Sequence, residues 1–100
     1  MPREKPSANS RIGAGIFVSG RVQGVGYRFF TERVAARHSI LGWSRNLPDG
    51  RVELEIEAEE EDARKFIKEL EKGPAMARVE EVNVDWKPCA GRFKNFTIRV

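Results

Sequence analysis

The chain has 100 residues, 40% of them hydrophobic and 33% charged, a balance that suits one folded domain with a single core rather than a disordered chain. No segment is long and apolar enough to span a bilayer, and the N-terminus lacks the apolar stretch of a secretory signal. Cys89 stands alone, so an intrachain disulfide and a cysteine-built metal site are both excluded, and a reducing cytoplasm is the expected compartment.

Residues 1–11 carry Pro2 and Pro6 and hold Arg3, Lys5 and Arg11 against Glu4, so most of the formal net charge of +3 sits there. This stretch reads as a disordered tail, and the folded domain is expected over 12–100. Gly13 to Gly20 places β-formers between glycines and reads as a first strand. From Tyr27 to His38 no proline intervenes, and Phe30, Val34 and Ala35 recur at helical spacing. A short strand over Gly42 to Asn46 leads into the turn Leu47-Pro48-Asp49-Gly50.

The strand from Arg51 to Ala58 alternates Val52, Leu54, Ile56 and Ala58 with Glu53, Glu55 and Glu57, which predicts one buried and one solvated face. Glu59 to Asp62 opens a second helix, with Ala63, Phe66, Ile67 and Leu70 as its apolar stripe, and Gly73-Pro74 ends it. Val82, Val84 and Trp86 mark a further strand, and Phe96, Ile98 and Val100 a last one. The order predicts an α+β fold, the ferredoxin-like β-α-β-β-α-β sandwich, with two helices on one face of an antiparallel sheet. Many unrelated functions share that plan, so function has to be read from a site.

One segment stands out. In Gly20-Arg21-Val22-Gln23-Gly24-Val25-Gly26-Tyr27-Arg28 a strand ends, glycines cluster and a helix begins. Glycines let backbone N–H groups approach a ligand, and the first N–H groups of a helix have no internal partner. Together they form a nest of donors for an anion such as phosphate, and Arg28 adds a planar fork that can hold two oxygens. The spacing is neither a Walker A loop nor a dinucleotide fingerprint.

Together with Gly42-Trp43-Ser44-Arg45-Asn46 and Asp49-Gly50-Arg51-Val52-Glu53, this loop resembles the acylphosphatase family. That family's signatures are a Gly-x-Val-Gln-Gly-Val-x-aromatic-Arg loop and a Gly-Trp-x-x-Asn strand leading into Asp-Gly-x-Val-Glu. The resemblance runs over nearly all of residues 14–100, with Tyr27 where phenylalanine is more usual and Ser44 where an apolar β-branched residue is common. It implies hydrolysis of a carboxylic–phosphoric anhydride to carboxylate and phosphate, with no metal and no organic cofactor. It implies further that the amides of Gln23, Gly24, Val25, Gly26, Tyr27 and Arg28, with the Arg28 guanidinium, hold the phosphoryl group. Asn46 would hold the attacking water, so Arg28 and Asn46 are the catalytic candidates. The implied partner is a small acyl phosphate, with no nucleic acid and no membrane, and a free-standing monomer is the simpler reading beside a domain of a larger carbamoyl-transfer protein.

The remaining conspicuous residues read structurally. His38, the one histidine, is expected as a solvated helix-end residue, Trp43 and Trp86 as packing residues, and the glutamates as a wet face. RNA-recognition modules share the topology, but Glu53, Glu55 and Glu57 would repel a phosphate backbone there. A sensing domain would use the same loop without turnover, and catalysis separates the two.

Overall fold

A computed structural model describes residues 10–100 of the chain. Its elements are β1 (Arg11–Arg21), α1 (Tyr27–His38), β2 (Leu41–Asn46), β3 (Val52–Glu59), α2 (Glu60–Lys72), β4 (Arg78–Pro88) and β5 (Phe96–Ile98). β1 starts at Arg11, which pairs with Glu59, rather than at Gly13. The rest of the expected tail, before Ser10, lies outside the described residues.

The strands form one sheet in the order β4-β1-β3-β2-β5. β1 pairs antiparallel with β3 and β4, and β3 with β2, as the ferredoxin-like plan requires. β5 is added differently. It runs parallel to β2, with Gly42 opposite Phe96 and Ser44 opposite Ile98, so the sheet is mixed rather than wholly antiparallel. The excursion through residues 89–95 lets the chain reach the far edge in that direction, where a tight hairpin would have forced an antiparallel strand.

Alternation decides which face each residue meets. Ala14, Ile16 and Val18 of β1 and Val52, Leu54, Ile56 and Ala58 of β3 are fully buried under the helices. α1 contributes Tyr27, Phe30, Thr31, Val34 and Ala35, a stripe at helical spacing, and α2 contributes Ala63, Phe66, Ile67 and Leu70. On β2 the same face carries Gly42, Ser44 and Asn46, which stand opposite Ile56, Leu54 and Val52. Asn46 therefore points toward the helix layer, where α1 begins.

The other face is not the wet surface that the glutamates predict. Glu57 is buried, and its carboxylate accepts hydrogen bonds from the Ala90 and Arg92 backbone N–H groups at 2.9 and 3.0 Å. Glu55 pairs with Lys87 (3.1 Å) and Arg92 (2.9 Å), and Glu53 with Arg45 (2.7 Å). The segment after β4 folds across these carboxylates, so the alternation of β3 separates an apolar layer from an ion-pair layer. The aromatic rings on this face are occupied too: Arg51 stacks on Phe17, and both Arg45 and Arg99 on Trp43. His38 also departs from expectation. Its side chain is only 20% exposed and its Nε2 lies 3.9 Å from Glu69 of α2.

Candidate active site

The turn from β1 into α1 has the backbone that its glycines permit. Gly24 and Gly26 have φ of 75° and 78°, in the left-handed region that side chains resist. A Cβ at either position would meet nothing within 4 Å, so the loop is open on that side. Gly26 is the N-cap of α1 and offers no side chain to the helix's first N–H groups. The first turn of α1 also has no acidic residue, whereas α2 begins with Glu60, Glu61 and Asp62. The positive end of the α1 dipole thus carries neither a side-chain cap nor a neutralising carboxylate.

A cavity of about 170 Å³ opens at this point, lined by Val22, Gly24, Gly26, Tyr27, Arg28, Phe29 and Asn46. It brings the two catalytic candidates together, Arg28 from the start of α1 and Asn46 from the end of β2. Arg28 donates from Nη1 to the Arg99 carbonyl at 2.9 Å, which leaves the rest of its donors for a ligand. The Arg99 carbonyl is itself fixed, because its own N–H donates to the Ser44 carbonyl at 2.7 Å. Asn46 Oδ1 is buried and has no hydrogen-bond partner among the described residues. A buried acceptor left unpaired costs free energy, and such atoms mark places where a ligand or water completes the structure.

Gln23, Val25 and Tyr27 hold the loop in place through contacts away from the cavity. Gln23 and Val25 are not among the lining residues. Gln23 Nε2 donates to the Leu47 and Arg51 carbonyls at 2.8 and 2.9 Å, tying the loop to the β2–β3 turn just beyond Asn46. Val25 packs against the core. Tyr27 sends its ring inward, where the hydroxyl donates to the Leu70 carbonyl of α2 at 2.7 Å, and burial raises its pKa well above the usual phenol value. The departure from phenylalanine is therefore a satisfied buried hydrogen bond. Ser44 is answered in the same way: its Oγ lies 3.1 Å from Thr31 Oγ1 of α1. Val22 belongs to the loop that stands out in the sequence but has no role assigned there, and Phe29 lies just outside that loop. The adjacency of Phe29 to Arg28 is the one signal that could have pointed to it.

Among the described residues no three His, Cys, Asp or Glu side chains converge as metal ligands, and no helix is long and apolar enough to cross a membrane. A larger cavity of about 430 Å³ lies beside the C-terminal half of α1, near Ala35, Ser39 and Ile40, and contains neither Arg28 nor Asn46.

A glycine-rich βα turn bearing Arg28 and a strand end bearing Asn46 meet at one cavity of a ferredoxin-like α+β domain. The acylphosphatase family model matches residues 14–98, and the chain belongs to that family of enzymes. It is 46% identical over 82 residues to an acylphosphatase of Salinibacter ruber, covering 82% of this chain and 86% of the relative. Identity reaches 49% over 81 residues with that of Thermus thermophilus, covering 81% and 91%. The crystal structure of acylphosphatase from Bacillus subtilis superposes with a TM-score of 0.86 at 31% identity, covering 89% of this chain and 99% of that one. The chain also matches full-length HypF, crystallised in a phosphate- and nucleotide-bound form, with a TM-score of 0.78 at 27% identity, over 90% of this chain and 12% of HypF.

Proposed function

We propose that the protein hydrolyses acyl phosphates at this cavity, with Arg28 and the loop amides holding the phosphoryl group and Asn46 holding the attacking water. What supports the division of roles is that Asn46, whose Oδ1 is buried without a partner, lines the same cavity as Arg28. A water that donates one hydrogen to that oxygen presents a lone pair to phosphorus. Its oxygen bonds to phosphorus while the bond from phosphorus to the acyl oxygen breaks, and the electron pair of that bond leaves with the carboxylate. The water's proton passes to a non-bridging phosphate oxygen, giving carboxylate and inorganic phosphate. Carboxylate is a good leaving group and needs little acid assistance, so positioning and charge stabilisation around a loose transition state suffice. Asn46 accepts and donates hydrogen bonds but is no base near neutral pH, which makes the substrate's own oxygen the proton acceptor in this scheme.

The test is to follow loss of benzoyl phosphate by its absorbance with the wild type and with Asn46→Ala. The variant is expected to bind inorganic phosphate as the wild type does and to lose about 10²-fold or more in kcat, as when one positioned catalytic group is removed. A folded Asn46→Ala protein with wild-type turnover would remove Asn46 from the mechanism.

A further inference from the structure

We propose that Phe29 is a specificity-determining residue whose ring receives the acyl group of the substrate and favours aromatic acyl phosphates over small ones such as acetyl phosphate. This inference rests on the reading of the cavity as the phosphoryl site. At about 170 Å³ the cavity is well below the roughly 300–1,000 Å³ of pockets that enclose a whole small molecule. It takes a phosphoryl group and a water, and the acyl portion has to project past the rim.

Phe29 stands at that rim. It directly follows Arg28 on α1, lines the cavity, and is 63% exposed. Among the described residues the other large hydrophobics with comparable exposure are Met76 and Val100, and neither lines this cavity. Of the other lining residues, Val22 and Tyr27 are buried, and Gly24 and Gly26 present no side chain. The acyl group therefore leaves the cavity past a single exposed apolar surface. α1 puts that ring there by its own geometry. Tyr27 and Phe30 point into the core, and at 3.6 residues per turn the two side chains between them, Arg28 and Phe29, emerge away from it. No packing role explains the ring, and isolated exposure alone would carry no message. Its position against the phosphoryl cavity gives the message: an aromatic acyl group and the Phe29 ring can stack edge-to-face or offset and remove each other's apolar surface from water.

The experiment compares kcat/KM for benzoyl phosphate and acetyl phosphate in the wild type, Phe29→Ala and Phe29→Leu, with inhibition by inorganic phosphate as a measure of the phosphoryl site. Phe29→Ala is expected to lower kcat/KM for benzoyl phosphate roughly 5- to 10-fold, the size of one aromatic pair. Acetyl phosphate turnover and the phosphate inhibition constant should stay within about twofold, since neither ligand reaches an aromatic contact. Phe29→Leu should fall between, because an apolar side chain is kept and the ring lost. Equal loss on both substrates, or no loss on benzoyl phosphate, would overturn the assignment of Phe29 while leaving the hydrolytic reading intact. A wild type inert toward both substrates would instead overturn that reading, and this inference with it.

Discussion

Arg28 spends one donor on the Arg99 carbonyl, and that contact restrains its guanidinium without using up the planar fork. The remaining donors suit two oxygens of one phosphoryl group, which a lysine ammonium cannot match in geometry. Arg28→Ala is accordingly expected to lose phosphate affinity and turnover together, each by at least about tenfold, whereas Asn46→Ala separates the two. Arg28→Lys should restore part of the affinity and little of the turnover. Phosphate inhibition constants measured beside kcat check this, and an Arg28→Lys protein with full turnover would show that charge alone is needed. That Arg28 and Asn46 belong to one place in the fold was legible because both sit in recognisable local strings, and they line one cavity. The use of the Gln23 side chain was not legible, since its two acceptors lie 24 and 28 residues away and no local pattern announces them.

At the scale of elements, the relation between Arg28 and Asn46 is set by how α1 lies on β2. Thr31 Oγ1 holds that junction: it donates to the Arg28 carbonyl at 2.6 Å and shares a hydrogen bond with Ser44 Oγ at 3.1 Å. Thr31 and Ser44 are both fully buried, and Ser44 precedes Asn46 on the same face of β2. A buried hydroxyl without its partner is penalised more than a pair replaced together by apolar groups. Thr31→Val is therefore expected to destabilise by about 1–3 kcal/mol, and Thr31→Val combined with Ser44→Ala by less than the sum of the two single changes. Urea unfolding of all four proteins completes the cycle, and strict additivity would show the two hydroxyls to be energetically independent. The elements themselves were readable from apolar periodicity, down to the stripe of α2. Serine at this point of β2 reads from sequence as a mere departure, because its compensation lies on another element.

Across the whole molecule, the layer that sequence alone misassigns is the one behind β3. Alternation reports which side chains avoid the helices, but it cannot report that residues 89–95 return to cover the other face. Those contacts span 33 and 35 residues from Glu57 to the Ala90 and Arg92 N–H groups. They have a consequence for pH. Burial by itself raises the Glu57 pKa, but the N–H groups of Ala90, Arg92 and Phe93 and the Arg92 charge outweigh it, so the carboxyl is held below its usual value. A carboxyl with a depressed folded-state pKa contributes stability that is complete above the unfolded value of about 4.3 and is lost as pH falls through the folded one. Glu57→Gln keeps one oxygen acceptor but no charge, and is expected to cost about 1.5–3 kcal/mol at pH 7. The gap to wild type should stay constant from pH 7 to about 5 and then close at lower pH, because the wild type alone gives up a charged partner there. Denaturant midpoints of the two proteins across that range measure it. A gap that does not change with pH would mean that residues 89–95 are held by packing and backbone geometry, not by the Glu57 charge.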